Sequence, residues 1–208
     1  MPRRFQRQAA ECPLSAETIC LAVLGLCVCV SGAAGCFFAS VSYGGGASDL
    51  SALFDRIFRN ASGGNVVYPE FVPVLFEFFI VPAVLFVLGY TFLGVFLVPA
   101  CIGFRAFFLS YAVTALFCSY GMSGLALSTG CFGLHALISV PVWLAVGSVS
   151  LFASFRHNFG RKEEPLCVVK RIVFAAVGTA LLLPAALMQW SVMPRIVCVL
   201  AKLFADNI

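Results

Sequence analysis

Charged residues are scarce in this chain, and their scarcity defines its class. Only 11% of the 208 residues are Asp, Glu, Lys or Arg, whereas 62% are apolar and 22 are Phe. Soluble domains carry about 25% charged residues, because they need polar side chains to cover a water-exposed surface. The composition therefore excludes a soluble globular domain, a disordered chain and a nucleic-acid-binding domain. An integral membrane protein remains.

Catalytic and metal-binding motifs are also lacking. The sequence has no HExxH, GxSxG or Walker A motif and only two histidines, His135 and His157. Its ten cysteines include no CxxC pair. Most of them lie in apolar runs, where a reduced cysteine serves as a small packing residue. We therefore expect a non-enzymatic protein with no bound metal or cofactor.

The chain is instead rich in long apolar stretches. A membrane-crossing helix needs about 20 mostly apolar residues, and five stretches qualify: residues 19–41, 72–99, 104–120, 125–155 and 172–192. They predict an all-α fold, a polytopic helical bundle that forms a single membrane domain over residues 1–208.

Two proline positions refine this prediction. Pro99 and Gly103 favour a tight turn within residues 98–103, between the second and third spans. The fourth span is longer than a crossing needs, so we expect it to tilt or to break near Pro141.

The distribution of basic residues predicts the orientation. Five crossings place the termini on opposite sides, and Lys and Arg concentrate on the cytoplasmic side of membrane proteins. With a cytoplasmic N-terminus, nine basic residues lie inside: Arg3, Arg4, Arg7, Arg105, Arg156, Arg161, Lys162, Lys170 and Arg171. Four lie outside: Arg56, Arg59, Arg195 and Lys202. Residues 1–18 and 156–171 are then cytoplasmic, and residues 42–70 and 193–208 are extracytoplasmic.

The first extracytoplasmic segment contains one amphipathic stretch. Residues 49–60 carry apolar side chains at helical spacing, with charged residues between them. Such a helix either lies on the membrane surface or packs on the bundle or on a partner.

Three ionisable residues fall within the predicted spans: Glu77, Arg105 and His135. Ionisable groups in a bilayer are candidates for function. In one interpretation Glu77 and His135 form a proton or ion relay. In the other, Glu77 reaches the outer interface and Arg105 snorkels to the cytoplasmic headgroups. His135 then stays neutral and bonds a Ser or Tyr hydroxyl. The second is favoured, because a relay usually needs several aligned carboxylates.

Small residues recur at helical spacing on two spans. They are Ala106, Ser110, Thr114 and Cys118 on the third span, and Ser31, Gly35 and Ala39 on the first. Such stripes form grooves in which a second helix approaches closely. The neighbouring helix belongs either to the same bundle or to a partner protein.

The middle of the chain carries an ordered set of motifs. Gly89 and Gly94 punctuate one span, and the basic and aromatic stretch 105–111 follows. The Gly-Met-Ser-Gly stretch 121–124, which predicts a turn, comes next, and then a long span with a central Pro141. In this order, residues 89–147 resemble the stage II sporulation protein M family.

Two departures mark the chain as a divergent member. Two family glycines are replaced by Ala106 and Ser110, and the Pro-Gln-Asn triplet that is common before the central proline reads Leu-His-Ala at 134–136. The resemblance implies a non-enzymatic scaffold that anchors peptidoglycan-degrading enzymes at the membrane during engulfment in sporulation. Its partners would be the lipid bilayer and extracytoplasmic cell-wall hydrolases.

The resemblance also suggests where such partners bind. The outward segments 42–67 and 193–208 would be docking surfaces. The helix-packing or partner groove would consist of Arg105, Ala106, Ser110, Thr114, Gly121, Gly124 and Pro141. Two alternatives stay open. One is a permease-like subunit that works with a separate ATPase held by residues 156–171. The other is an intramembrane enzyme centred on His135.

Overall fold

Helices make up the secondary structure throughout the described chain. The structure, a computed structural model, describes residues 13–42, 70–158 and 165–205 together with Ala52 and Arg56. The elements are α1 Pro13–Ser42, α2 Phe71–Leu88, α3 Gly94–Ser128, a π-helical stretch Thr129–Gly133, α4 Leu134–Asn158, α5 Pro165–Ser191 and α6 Met193–Ala205. The predicted all-α class is confirmed. The amphipathic helix predicted over residues 49–60 lies outside the described residues, apart from the two isolated positions.

Four helices are long and apolar enough to cross a membrane. They are Glu17–Ser42, Phe71–Leu88, Gly94–Asn158 and Ile172–Val199. The membrane character is thus confirmed, but the count differs from the five predicted. The difference arises because the predicted third and fourth spans form one helical stretch of 65 residues. A straight helix of that length would measure about 100 Å, against a hydrocarbon core of about 30 Å.

This long stretch reverses its direction at Gly121. The residue has φ +60° and ψ −135°, and its φ is the one positive value among the described residues. Gly94 lies beside Ser154, and Ile102 lies beside Gly147. Residues 94–120 therefore run antiparallel to α4, and the turn predicted at residues 121–124 is confirmed.

The turn predicted within residues 98–103 is wrong. The chain turns at residues 89–93, and α3 then runs through Pro99 and Gly103. The end of α4 holds this turn in place. Ser154 Oγ donates a hydrogen bond of 2.7 Å to the carbonyl oxygen of Thr91, and Asn158 Nδ2 donates one of 3.2 Å to that of Phe92. Distant residues decide where the chain turns.

The break expected near Pro141 is also not found. Pro141 lies inside α4, which continues through it. The irregular geometry comes earlier, in the π-helical stretch Thr129–Gly133. A π-helical turn accommodates one extra residue without ending the helix, so the chain passes from α3 to α4 without a loop.

Helix α4 is the centre of the bundle, because it contacts α1, α2, α3 and α5. Helices α1 to α5 all contribute to one apolar core. Its buried members are Leu24, Val74, Phe78, Leu85, Val98, Ile102, Val142, Val146, Leu151, Leu182, Ala185 and Ala186. The outer faces are apolar as well, and Val72 and Leu137 are more than 70% exposed. A surface of this kind suits lipid rather than water.

Candidate functional site

An ion pair joins α2 to α3 within the apolar bundle. Arg105 Nη1 donates to Glu77 Oε1 at 3.1 Å, and Nη2 donates to the backbone carbonyl oxygen of Glu77 at 3.4 Å. The side chains therefore neutralise each other, instead of reaching separate headgroup layers as the sequence had suggested. Glu77 is the single acidic residue between Phe71 and Asn158. Its carboxylate is paired with Arg105 of the same chain.

The pair lies away from the ends of both apolar helices. Glu77 is six residues from the start of α2, and Arg105 is eleven residues from the start of α3. At 1.5 Å per residue, these positions are about 9 Å and about 16 Å from the helix ends. The predicted place of Arg105 at the cytoplasmic end of its span is wrong, because α3 begins at Gly94 rather than near residue 104.

Two residues of α4 complete a polar cluster around the pair. The guanidinium carbon of Arg105 lies 5.3 Å from the centroid of the Trp143 ring, a cation–π contact that favours the charged guanidinium. His135 lies two turns before Trp143 on the same face of α4, and its ring packs against Phe78, the residue after Glu77. We call Glu77, Arg105, His135 and Trp143 the polar cluster.

His135 is held by its own helical segment. Its Nδ1 lies 3.1 Å from the carbonyl oxygen of Cys131, in place of the Ser or Tyr hydroxyl that was expected. When Nδ1 donates its proton to this carbonyl, Nε2 is left as an acceptor. The ring packs edge-on against Phe78 of α2, with 5.6 Å between the centroids. His135 therefore also ties α4 to α2.

The polar cluster opens toward the outside of the bundle. The Glu77 and Arg105 side chains are 54% and 33% exposed. Phe76 and Phe104, each next in sequence to one member of the pair, are exposed by about two thirds. The ion pair thus lies at a seam between α2 and α3 rather than in the core of the bundle.

A small cavity adjoins His135 on its other side. Its volume is about 10 Å³, which is room for a single water molecule. Cys131, Met188, Gln189 and Met193 are among the residues that line it. A pocket for a small-molecule ligand needs about 300–1,000 Å³, so this cavity is too small for an organic substrate.

The residues predicted as a groove lie in separate places. Arg105 faces α2, and the Ser110 hydroxyl lies 3.1 Å from the position of a Cβ on Gly32 of α1. Ala106 and Thr114 are half-buried on α3. Gly121 and Gly124 form the reversal, and Pro141 is exposed on α4.

The small-residue stripe of α1 packs against α3 of the same chain, but the α3 residues that Ser31 and Gly35 contact are not members of the stripe predicted there. Ser31 of α1 lies against Gly103 of α3, and Gly35 lies against the backbone of Phe107 and Tyr111. The contacts advance in the same direction along both helices, so α1 and α3 pack in parallel. Small residues allow this close approach of two backbones.

Sequence reasoning missed Trp143 as a member of the polar cluster. Its spacing contained the signal, because residues 135, 139 and 143 share one helix face. Ser139 lies between the other two and is completely buried, and neither its hydroxyl nor the Trp143 Nε1 has a hydrogen-bond partner among the described residues. The described part of the chain contains no group of three or more His, Cys, Asp or Glu residues placed to hold a metal ion.

Comparisons with known proteins bring no relative: no family model, no curated protein and no solved structure matches this chain. A functional interpretation therefore depends on the chain's own residues and on the motif resemblance in residues 89–147.

Proposed function

We propose that this protein is a non-enzymatic integral membrane scaffold that resembles the stage II sporulation protein M family. In this role it anchors peptidoglycan-degrading enzymes at the membrane during engulfment in sporulation. The observation that supports a scaffold is the Glu77–Arg105 bond of 3.1 Å. In this bond the one acidic residue between Phe71 and Asn158 links α2 to α3. A charge used in this way stabilises a bundle rather than carrying protons through it.

The proposal includes five crossings with the N-terminus inside and the C-terminus outside. Three helix relationships support it. Helices α1 and α3 are parallel, and residues 94–120 are antiparallel to α4. Helix α5 is also antiparallel to α4, since Gly178 lies beside Val142 and Val146, whereas Met188 shares the small cavity with His135. The directions alternate along the chain, as successive crossings must.

The charge distribution supports the same orientation. Arg105 lies in the ion pair at bilayer depth, so it no longer counts toward either side. Eight of the nine basic residues assigned to the cytoplasm then remain, against four outside. The bias still favours a cytoplasmic N-terminus.

Helix α6 provides the proposed docking surface for wall enzymes within the described residues. Met193 and Val197 pack against a small buried cluster of Leu116, Leu127 and Cys131. This contact fixes α6 across the end of the bundle where the long stretch reverses. Arg195, on the same helix, is exposed. A partner can therefore contact α6 without disturbing the core.

A tagged pull-down tests the scaffold. The full-length protein is solubilised gently from native membranes, and co-purifying proteins are identified by mass spectrometry. We expect peptidoglycan hydrolases or other secreted wall enzymes. Recovery of a cytoplasmic ATPase without any wall enzyme would contradict the scaffold and favour a permease-like subunit.

Two matched variants locate the docking surface. Arg195→Glu reverses an exposed charge on α6, and His157→Glu changes an exposed residue at the opposite end of the bundle. We expect the first to reduce recovery of wall enzymes several-fold and the second to leave it unchanged. Equal recovery from both would exclude α6 as the docking surface.

A further inference from the structure

The Glu77–Arg105 pair leaves part of its bonding capacity unused. Glu77 Oε1 and the Glu77 carbonyl oxygen accept from Arg105, but Glu77 Oε2 has no partner among the described residues. The Glu77 side chain is 54% exposed. A guanidinium has five N–H donors, and two of its nitrogens are engaged here. The pair is therefore incompletely satisfied on its outer side.

Lipid cannot complete these bonds. The pair lies about 9 Å along α2 from its start and about 16 Å along α3 from its start, so it is at the depth of acyl chains. Hydrocarbon offers neither donors nor acceptors, and charged side chains at this depth normally face protein or a water-filled cavity. Phe76 and Phe104 adjoin the pair in sequence, and the Phe108 ring packs against that of Phe104. All three rings are at least half exposed, which is compatible with contact to another protein surface.

We propose that a second copy of this chain covers the seam between α2 and α3. In a symmetric membrane dimer whose two-fold axis runs along the membrane normal, equivalent residues meet at equal depth. Glu77 and Arg105 share one depth because they are bonded to each other. Glu77 of each copy then faces Arg105 of its partner, and the four side chains form a closed ring of alternating charge.

Charge complementarity identifies the occupant. A helix of another protein would need a cation facing Glu77 and an anion facing Arg105, both at the same depth. A second copy brings them by symmetry. The three phenylalanines form an apolar border around the ring, in the arrangement that excludes water from polar contacts at interfaces. The dimer does not depend on the proposed scaffold role, because it follows from the ion pair alone.

Charge reversal in reconstituted full-length protein tests the dimer. Wild-type chains carrying one fluorophore each are diluted into lipid vesicles, and photobleaching steps are counted. We expect two steps for the wild type. Glu77→Arg places four positive charges at the interface and Arg105→Glu places four negative ones, so each variant alone should bleach in one step, with its dimer fraction reduced at least tenfold.

Mixing the two variants provides the decisive measurement. One copy then contributes two positive charges and the other two negative charges at the same depth, so a heterodimer regains the two attractive contacts across the interface. We expect energy transfer between differently labelled variants to return to the wild-type level. If the mixture stays monomeric, or if each variant alone dimerises like the wild type, the proposal is overturned.

A second measurement does not depend on the folding of charge-reversed chains. A photo-crosslinking amino acid replaces Phe104 at the seam or Val177 on the exposed face of α5, where the native side chains are 64% and 56% exposed. We expect a crosslinked homodimer from position 104 and none from position 177. Equal yields from both, no product from position 104, or a product with a different protein would each exclude the second copy as the occupant.

Discussion

Gly35 of α1 lies directly against the backbone carbonyl of Phe107 in α3, with no side chain between the two helices. This contact belongs to the most extensive helix pair of the bundle. A Cβ at position 35 would overlap the Phe107 carbonyl oxygen and come within 3.2 Å of the Tyr111 nitrogen. The separation between α1 and α3 is thus set by the absence of one methyl group.

Gly35→Ala should therefore destabilise the bundle. Overpacking of a close contact costs about 1–3 kcal/mol, and we expect the thermal midpoint in mild detergent to fall accordingly. Gly25→Ala is the matched control on the same helix, since no atom lies within 4 Å of its Cβ position. Alanine there should leave stability unchanged or raise it by about 0.5 kcal/mol through its better helix propensity. Equal losses from both variants would disprove the close α1–α3 contact.

Removing one partner of the ion pair should cost more than removing both. Glu77→Gln leaves the Arg105 charge unpaired at bilayer depth, and Arg105→Gln does the same to Glu77. Each should lower the free energy of unfolding by about 2 kcal/mol. The double variant should lose less than either single variant, and the coupling is measured by denaturation of all four proteins.

Glu70→Gln is the control for that cycle. Glu70 precedes α2 and is exposed, so its neutralisation should change stability by no more than about 0.5 kcal/mol. Strict additivity of the Glu77 and Arg105 effects would show that the 3.1 Å contact makes no net contribution.

Any side chain at Gly121 should destabilise the protein. Its φ of +60° with ψ −135° is a conformation that glycine alone adopts readily, although no atom lies within 4 Å of its Cβ position. Backbone strain is then the sole cost of Gly121→Ala, at about 1–3 kcal/mol. Gly121→Asn should be no better, because asparagine favours positive φ with ψ near +45°. A thermal midpoint equal to that of the wild type in either variant would contradict this backbone conformation.

Tags placed in the connecting segments test the topology. We expect tags at the N-terminus and at residue 160 to react only after the inner side of the membrane is made accessible. Tags at residue 45 and at the C-terminus should react in intact cells. A C-terminus on the same side as the N-terminus would require an even number of crossings and would rule out the proposed five.

The membrane-length apolar helices were predictable from the sequence, although not their number, because apolar character is a local property. About 18 consecutive apolar residues identify a membrane-crossing helix wherever it lies in the fold. The reversal at Gly121 was predictable for the same reason, since two nearby glycines mark it. Ionisable residues in apolar runs are equally conspicuous, so Glu77, Arg105 and His135 were identified as candidates.

The pairing of these residues was not predictable, because one turn was misplaced. Pro99 and Gly103 are stronger local turn signals than the bulky residues at 90–93, so the third span was predicted to begin near residue 104. Beginning α3 at Gly94 moves Arg105 about 15 Å deeper along its helix, to the level of Glu77. The hydrogen bonds that fix the true turn come from Ser154 and Asn158, more than 60 residues away.

The central position of α4 has a consequence for biogenesis. A ribosome releases α1, α2 and α3 before α4 exists, and the main contacts among those helices in the described residues are then the α1–α3 contact and the seam between α2 and α3. The core residues Val142, Val146 and Leu151 arrive late. During synthesis the early helices therefore stay incompletely packed in the bilayer until α4 is inserted. A chain interrupted before residue 134 would lack the central helix and would be exposed to the quality-control proteases of the membrane.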